Sequence, residues 1–227
     1  MSGFRESFDL STYLVTDSAQ ACAAGHDLVD LVSAAVEGGV TIVQLREKDF
    51  PAREFLAVVL RVSAAVGEKV PVLVNDRVDV YLAARERGAR VAGVHVGQSD
   101  LPSASVRALI GEDAILGLSA STPEQLEDAG LAAAGVDYVG IGALHPTATK
   151  KDAPDALGHA RLAELVALST LPTVAIGGIG VDDLPLLRAA GADGAAVVSA
   201  ICGAADPRAA ARELAAAWAG ERVGEKS

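Results

Sequence analysis

The chain has 227 residues, of which 51% are hydrophobic and only 4% aromatic, and its 19 basic and 30 acidic side chains give a formal net charge of −11. A domain of this length buries roughly 70% of the surface its unfolded chain exposes and needs no covalent staples. The acidic balance excludes electrostatic attraction to nucleic acid or to an anionic membrane surface, so basic residues grouped at one place carry information. Cys22 and Cys202 lie far apart without metal-type spacing, which predicts two buried thiols rather than a disulfide. The opening residues are charged and lack the apolar run of a signal peptide. No stretch reaches the roughly 18 consecutive apolar residues of a membrane span. The expectation is a soluble cytoplasmic protein of one domain over residues 1–227, with a core at about 10–218 and short tails.

The first strand is predicted at residues 13–17 and the first helix at 27–37, stopped by Gly38-Gly39. The second strand, 41–48, ends Gln44-Leu45-Arg46-Glu47-Lys48. Period-2 alternation turns Val43 and Leu45 towards the helices and Gln44, Arg46 and Lys48 towards the other side. Two cations and an amide on an inner face are costly unless paired or facing an anion. This strand end therefore reads as an anion site, the alternative being a solvated rim paired with Glu47 and Asp49.

A helix at 52–66 leads to the third strand, 71–76, which ends Asn75-Asp76-Arg77. A helix at 78–87, closed by Gly88, precedes the fourth strand, 93–98, followed by Ser99-Asp100. Neighbouring strands would bring Asp76 and Asp100 to one rim, and paired carboxylates suit Mg²⁺, which takes one or two protein carboxylates and keeps several waters. Capping the following helix is the competing role for each.

The fifth strand, 114–120, carries Gly117-Leu118-Ser119 to the rim, and Ser121-Thr122-Pro123-Glu124 opens a helix at 123–134 that Gly135 ends. After the sixth strand, 138–143, the longest gap runs over 144–157 and reads His145-Pro146-Thr147-Ala148-Thr149-Lys150 at its start. Thr147 and Thr149 share a side if extended, and Lys150 adds a point charge suited to phosphate. A helix at 161–168 leads to the seventh strand, 172–179, with Gly177-Gly178-Ile179. A helix at 182–190, the eighth strand at 194–201 with Val198-Ser199, and a helix at 207–218 complete the chain. Of the four histidines, His26, His95, His145 and His159, none has metal-ligand spacing, and His26 and His159 read as surface or capping residues.

Eight strands alternating with helices imply parallel βαβ units. No Gly-x-Gly-x-x-Gly opens a helix after the first strand, which removes the main cue for a dinucleotide fold. So many units in one domain favour closure into an α/β structure of the (β/α)8 TIM-barrel type, parallel and eight-stranded. Catalytic groups then gather at the C-terminal strand ends, where the long 144–157 loop is a candidate lid, and the loops after strands seven and eight form the usual phosphate site. Glycine there lets phosphate approach backbone N–H groups. One anion subsite near strands two to four and another near seven and eight suit a reaction joining or splitting two phosphorylated molecules.

The motifs Gln44-Leu45-Arg46-Glu47-Lys48, Asn75-Asp76-Arg77, His95-x-Gly97-Gln98-x-Asp100-Leu101-Pro102, Pro146-Thr147-x-Thr149-Lys150, and Gly177-Gly178-Ile179 with Val198-Ser199 together resemble the thiamine-phosphate synthase family, over about residues 13–218. The resemblance implies a Mg²⁺-dependent transferase. It would condense hydroxymethylpyrimidine diphosphate with a thiazole phosphate or its carboxylated form, giving thiamine phosphate, pyrophosphate and, from the carboxylated substrate, CO₂. By the same likeness Gln44, Leu45, Arg46, Glu47, Lys48, Asn75, Ser119 and Lys150 would surround the pyrimidine diphosphate, with Arg46, Lys48, Ser119 and Lys150 catalytic. Thr147, Ala148, Thr149, Gly178, Val198 and Ser199 would hold the thiazole phosphate, and Asp76 and Asp100 the metal. Its partners would be small phosphorylated molecules.

This chain departs from the family pattern at Ser121, where relatives often carry histidine, and at His145, where an aromatic residue is common. A thiazole tautomerase on the same barrel would need an acid–base group near Ser121 and has no use for Lys48, Asp76 and Asp100 together. A non-catalytic phosphate-ligand sensor would tolerate loss of both aspartates.

Overall fold

Strand segments rich in β-branched and aliphatic residues alternate with amphipathic helices throughout the computed structural model, which describes residues 4–126, 134–146 and 156–221. The strands are β1 (Thr12–Val15), β2 (Ile42–Leu45), β3 (Val72–Asn75), β4 (Gly93–Val96), β5 (Ile115–Ser119), β6 (Tyr138–Gly142), β7 (Thr173–Ile176) and β8 (Gly194–Val197). Each pairs in parallel with the next, and β8 closes on β1 with Tyr13 opposite Ala196. The predicted (β/α)8 barrel is the observed fold.

Strand parity sorts side chains into two layers. Leu14, Val43, Leu45, Val74, Val94, Leu116, Val139 and Ile141 point outward into one continuous layer beneath the helices. Tyr13, Val15, Ile42, Leu73, Ile115, Tyr138, Val174 and Ala196 point inward and fill the lumen. The large Tyr138 ring fits because β5 offers glycine beside it: a Cβ on Gly117 would overlap Tyr138 Cζ and Oη.

The ring of helices comprises α1 (Ser18–Ala23), α2 (Leu28–Glu37), α3 (Ala52–Val66), α4 (Val78–Glu86), α5 (Ser103–Ile110), α6 (Pro123–Leu126), α7 (Gly158–Leu168), α8 (Leu184–Ala189), α9 (Ser199–Cys202) and α10 (Pro207–Ala219). In α2, Leu28, Leu31, Val32 and Ala35 form one buried stripe, and Asp27 caps its N-terminus by accepting from Val29 N at 2.8 Å. In α3 the stripe is Phe55, Val59, Val62 and Val66. Burying a side chain such as Phe55 stabilises by about 1.5–3 kcal/mol.

At the N-terminal end of the barrel, Asp137 joins two cations. Arg5 Nε donates to Oδ1 at 2.8 Å and the buried Arg107 donates to Oδ2 at 2.8 Å, while Leu116 N–H also donates to Oδ2. This network ties the N-terminal segment to β5 and β6.

Several boundaries differ from the sequence expectation. The strand predicted at 172–179 stops at Ile176 because Gly177 and Gly178 take φ of 106° and 66°, outside extended geometry. That predicted at 194–201 stops at Val197, and Ser199–Cys202 is helical, with Ile201 and Cys202 buried. Helix α1 has no counterpart in the sequence expectation, and α5, expected only as a helix following Asp100, had no predicted bounds. Their six and eight residues give too few turns for a clear period, and α5 follows proline without a side-chain cap. The helix predicted at 182–190 is a 3₁₀ turn, Val181–Asp183, followed by α8. Cys22 is exposed rather than buried, since it lies on the outer face of α1; Cys202 is buried and its thiol is pushed up to about 11 by that burial. Among the described residues no helix is long and apolar enough to cross a membrane.

Candidate active site

A cavity of about 560 Å³ opens at the C-terminal ends of the strands, within the usual range for small-molecule sites. Gln44, Arg46, Lys48, Asn75, Asp76, Asp100, Ser119, Gly178, Val198 and Ser199 all line it, as the sequence predicts for a shared rim. Two other predicted residues are not brought to it. Leu45 is fully buried in the outer layer, as its strand parity requires. Glu47 accepts a hydrogen bond from Ser18 Oγ, and burial raises its carboxyl above the usual range. Thr147, Ala148, Thr149 and Lys150, like residues 127–133 of the helix predicted at 123–134, lie outside the described residues.

Asp76 reaches the cavity through an unusual backbone. Its φ is +60°, a left-handed conformation that aspartate tolerates better than most residues, and its N–H donates to His95 O at 2.8 Å. The chain turns immediately after β3 and leaves the carboxyl over the barrel mouth. Neither aspartate is a helix cap: α4 and α5 start behind Arg77 and Pro102 without a side-chain cap. Asp100 Oδ2 instead accepts from Gly97 N at 2.7 Å. The Asp76 carboxyl is pushed up to about 6, first by burial, then by the charge of Asp100 and a hydrogen bond with it; Asn75 and Lys48 oppose the rise. Two neighbouring carboxylates, one of them disfavoured as an anion until a cation arrives, offer only oxygen donors and fit a small divalent ion such as Mg²⁺.

The opposite wall comes from β6 and β7. A Cβ on Gly177 would stand 2.5 Å from Ala143 Cβ, and one on Gly178 would stand 2.9 Å from His145 Cβ. Only glycine allows this close approach together with positive φ. The backbone therefore borders the cavity directly. Ser121 Oγ donates to Gly142 O at 2.7 Å, so this departure from the family pattern anchors a strand end and supplies no acid–base group.

Beneath the cavity runs a chain of hydrogen bonds that the sequence reading missed. Gln44 Nε2 donates to Tyr13 Oη at 2.7 Å, Tyr13 Oη lies 2.7 Å from Tyr138 Oη, and Tyr138 Oη lies 2.9 Å from His95 Nδ1. His95 Nε2 in turn meets Ser119 Oγ at 3.0 Å. The direction that gives both phenol protons an acceptor runs from Gln44 through Tyr13 and Tyr138 to His95 Nδ1. His95 then carries its proton on Nε2 and donates to Ser119, whose own proton is left to point elsewhere. One signal for this chain was present: in a protein with only three tyrosines, Tyr13 and Tyr138 both fall on inward strand positions. His159 and His145 also depart from expectation, meeting at Asp183 despite their separation in sequence. His26 holds Ala204 O at 2.8 Å.

Fold and cavity define a (β/α)8-barrel enzyme with its polar groups at the C-terminal face. Comparison with known proteins narrows that class. The family model described as thiamine monophosphate synthase matches residues 12–201. The chain belongs to the thiamine monophosphate synthase family, and so to the transferases. It is 47% identical over 206 residues to a thiamine-phosphate synthase of Corynebacterium efficiens, covering 91% of this chain and 94% of that one. It is 45% identical over 212 residues to one of Desulfitobacterium hafniense, covering 92% and 98%. Among solved structures, a thiamine phosphate pyrophosphorylase from Pyrococcus furiosus superposes with a TM-score of 0.80 at 33% identity, covering 93% of this chain and 96% of that one. A 3-hexulose-6-phosphate synthase, with TM-score 0.67 and 21% identity, shares the fold.

Proposed function

We propose that the chain condenses hydroxymethylpyrimidine diphosphate with a thiazole phosphate, or its carboxylated form, to give thiamine phosphate and pyrophosphate, with CO₂ lost from the carboxylated substrate. One observation carries the reading: Arg46, Lys48, Asp76 and Asp100 share a cavity with a glycine wall and Val198-Ser199. Two charged groups of substrate can thus be held at once, one among side chains and one against backbone.

Asp76 and Asp100 would hold Mg²⁺, which would supply charge neutralisation for the diphosphate. Arg46 and Lys48 would bind the diphosphate oxygens and offset the charge that grows on them as the carbon–oxygen bond breaks. The electron pair leaves with pyrophosphate, and the resulting methylene cation, conjugated with the pyrimidine amino group, is captured by the thiazole nitrogen. Asn75, Gln44 and Ser119 would orient the pyrimidine side; Gly178, Val198 and Ser199 would fix the thiazole phosphate so that the nitrogen stands close to the cation. Lys150, with Thr147 and Thr149, completes the set by family resemblance. No side-chain nucleophile is needed. A cytoplasmic location fits the two free cysteines.

The test combines protein, Mg²⁺ and both substrates and follows thiamine phosphate and pyrophosphate together. Equal production of the two is expected, abolished by EDTA, restored by excess Mg²⁺, and severely reduced in Asp76→Asn, which keeps a residue tolerant of positive φ. Folded protein that forms neither product refutes the reading.

A further inference from the structure

We propose that His145, His159 and Asp183 form a binding site for a borderline divalent metal ion such as Zn²⁺, separate from the Asp76–Asp100 pair. The three residues come from different places: His145 follows β6, His159 opens α7, and Asp183 ends the 3₁₀ turn before α8. Their donor atoms all lie within 4.8 Å of one another.

The details favour a metal over a simple ion-pair cluster. His145 Nε2 and His159 Nε2 each stand 2.9 Å from the same carboxylate oxygen, Asp183 Oδ1. A tetrahedral ion with bonds of about 2.0–2.1 Å requires donor separations of about 3.3 Å, and both nitrogen–oxygen separations lie within a few tenths of an ångström of that. His145 is oriented to hydrogen-bond Asp183. His159 is not: its Nε2 is buried and makes no hydrogen bond among the described residues, although it faces the same oxygen. A buried ring nitrogen aimed at a carboxylate without bonding it is what a ligand to a shared ion presents. The rings are inclined at 67° with centroids 5.5 Å apart, so they converge rather than stack.

Asp183 is held for the role. Its Oδ2 accepts from Gly180 N at 2.9 Å, which leaves Oδ1 turned to the histidines; such outer bonds orient metal ligands. Two imidazoles and one carboxylate select Zn²⁺, Co²⁺ or Ni²⁺ over Mg²⁺, which prefers oxygen alone. Three protein ligands leave a fourth position for water or an anionic oxygen. The site borders the cavity wall, since His145 Cβ lies against Gly178. An ion here would fasten β6, α7 and the turn before α8 together at that wall. Neither these residues nor the test below depends on the reaction proposed above.

Chelator-treated protein in excess Mg²⁺ is titrated with Co²⁺, whose visible absorption reports low-symmetry nitrogen and oxygen ligation, and Zn²⁺ is then used to displace it. The expected result is one bound Co²⁺ with visible bands. Loss of an inner ligand in His159→Gln or Asp183→Asn should weaken binding by more than about 100-fold, beyond what an outer-shell change costs. His145→Gln is a second variant if either fails to fold by circular dichroism, and Asp76→Asn should bind Co²⁺ as the parent does. No saturable Co²⁺ binding, binding unchanged in folded His159→Gln, or binding lost in Asp76→Asn would each overturn the site.

Discussion

Replacing Tyr138 with phenylalanine removes one hydroxyl from the middle of the lumen and little else. The ring stays, and with it the packing against Phe8 and Tyr13, whose centroids lie 6.1 and 6.0 Å away. Two hydrogen bonds disappear, the 2.7 Å bond with Tyr13 and the 2.9 Å bond with His95. At about 0.5–1.5 kcal/mol net for each, stability should fall by about 1–3 kcal/mol. The stranded Tyr13 proton, fully buried, contributes within that same range. The effect on turnover comes through His95, whose Nδ1 no longer meets a phenol proton. The ring nitrogen facing Ser119 is then no longer fixed as a donor, and both Ser119 and, through Tyr13, Gln44 lose their registration. Misplacement by a fraction of an ångström up to 1 Å costs up to about 10² in rate, so a loss of about tenfold to hundredfold in kcat/KM is expected.

Urea unfolding and initial rates of thiamine phosphate formation measure the two effects. Tyr81→Phe is the comparator: its hydroxyl accepts from Arg85 at 2.9 Å on the outer helix α4, away from the lumen. That change removes one hydrogen bond, should cost about 0.5–1.5 kcal/mol, and should leave turnover as it was. If Tyr138→Phe behaves like Tyr81→Phe in both measurements, the argument that the lumen chain positions the cavity floor is wrong.

Asp137→Ala leaves buried Arg107 without its carboxylate and should cost about 3–5 kcal/mol, measurable by urea unfolding; a change below about 1 kcal/mol contradicts the network's importance. Gly178→Ala forces a side chain to φ +66° and within 2.9 Å of His145 Cβ. The conformation alone costs about 1–2 kcal/mol, and steady-state kinetics should show a raised KM for the thiazole phosphate with that for the pyrimidine diphosphate unchanged. Lys150→Ala should lower turnover by about 10²–10³, the scale for a preorganised donor to growing charge, and a loss of less than about threefold would remove its assigned role.

What the sequence reveals here is what depends on local periodicity. Parity along β2 sends Gln44, Arg46 and Lys48 inward without knowledge of any partner, and adjacency of β3 and β4 joins Asp76 to Asp100. A contiguous motif says less than parity: Leu45 and Glu47 stay out of the cavity although their neighbours line it, since alternation turns Leu45 towards the helices. Contacts across the lumen follow a different rule. Tyr13 and Tyr138 meet only because the closed barrel sets β1 across from β6, and no spacing in the chain encodes that distance. The His145, His159 and Asp183 cluster joins segments of two neighbouring units, and their spacing along the chain does not encode that meeting either. The left-handed turn at Asp76 was hidden differently, because aspartate at a strand end reads equally as a cap.

The cavity floor works by fixed orientation rather than by proton supply. Burial pushes the Tyr13 and Tyr138 hydroxyls well above the usual phenol range, so both stay protonated around neutral pH. A protonated phenol has one hydrogen to give, and in this chain each already has an acceptor. The two phenols therefore neither store nor release a proton near neutral pH, and they add no charge beneath the rim. That suits a chemistry in which pyrophosphate departs with its electron pair and the incoming nitrogen brings its own. In the reaction proposed above, the lumen would have to keep Gln44 and Ser119 aimed while the cations at the rim meet a changing charge. A chain of hydrogen-bonded dipoles fixed in a low-dielectric interior would do this without reorganising when the charge moves.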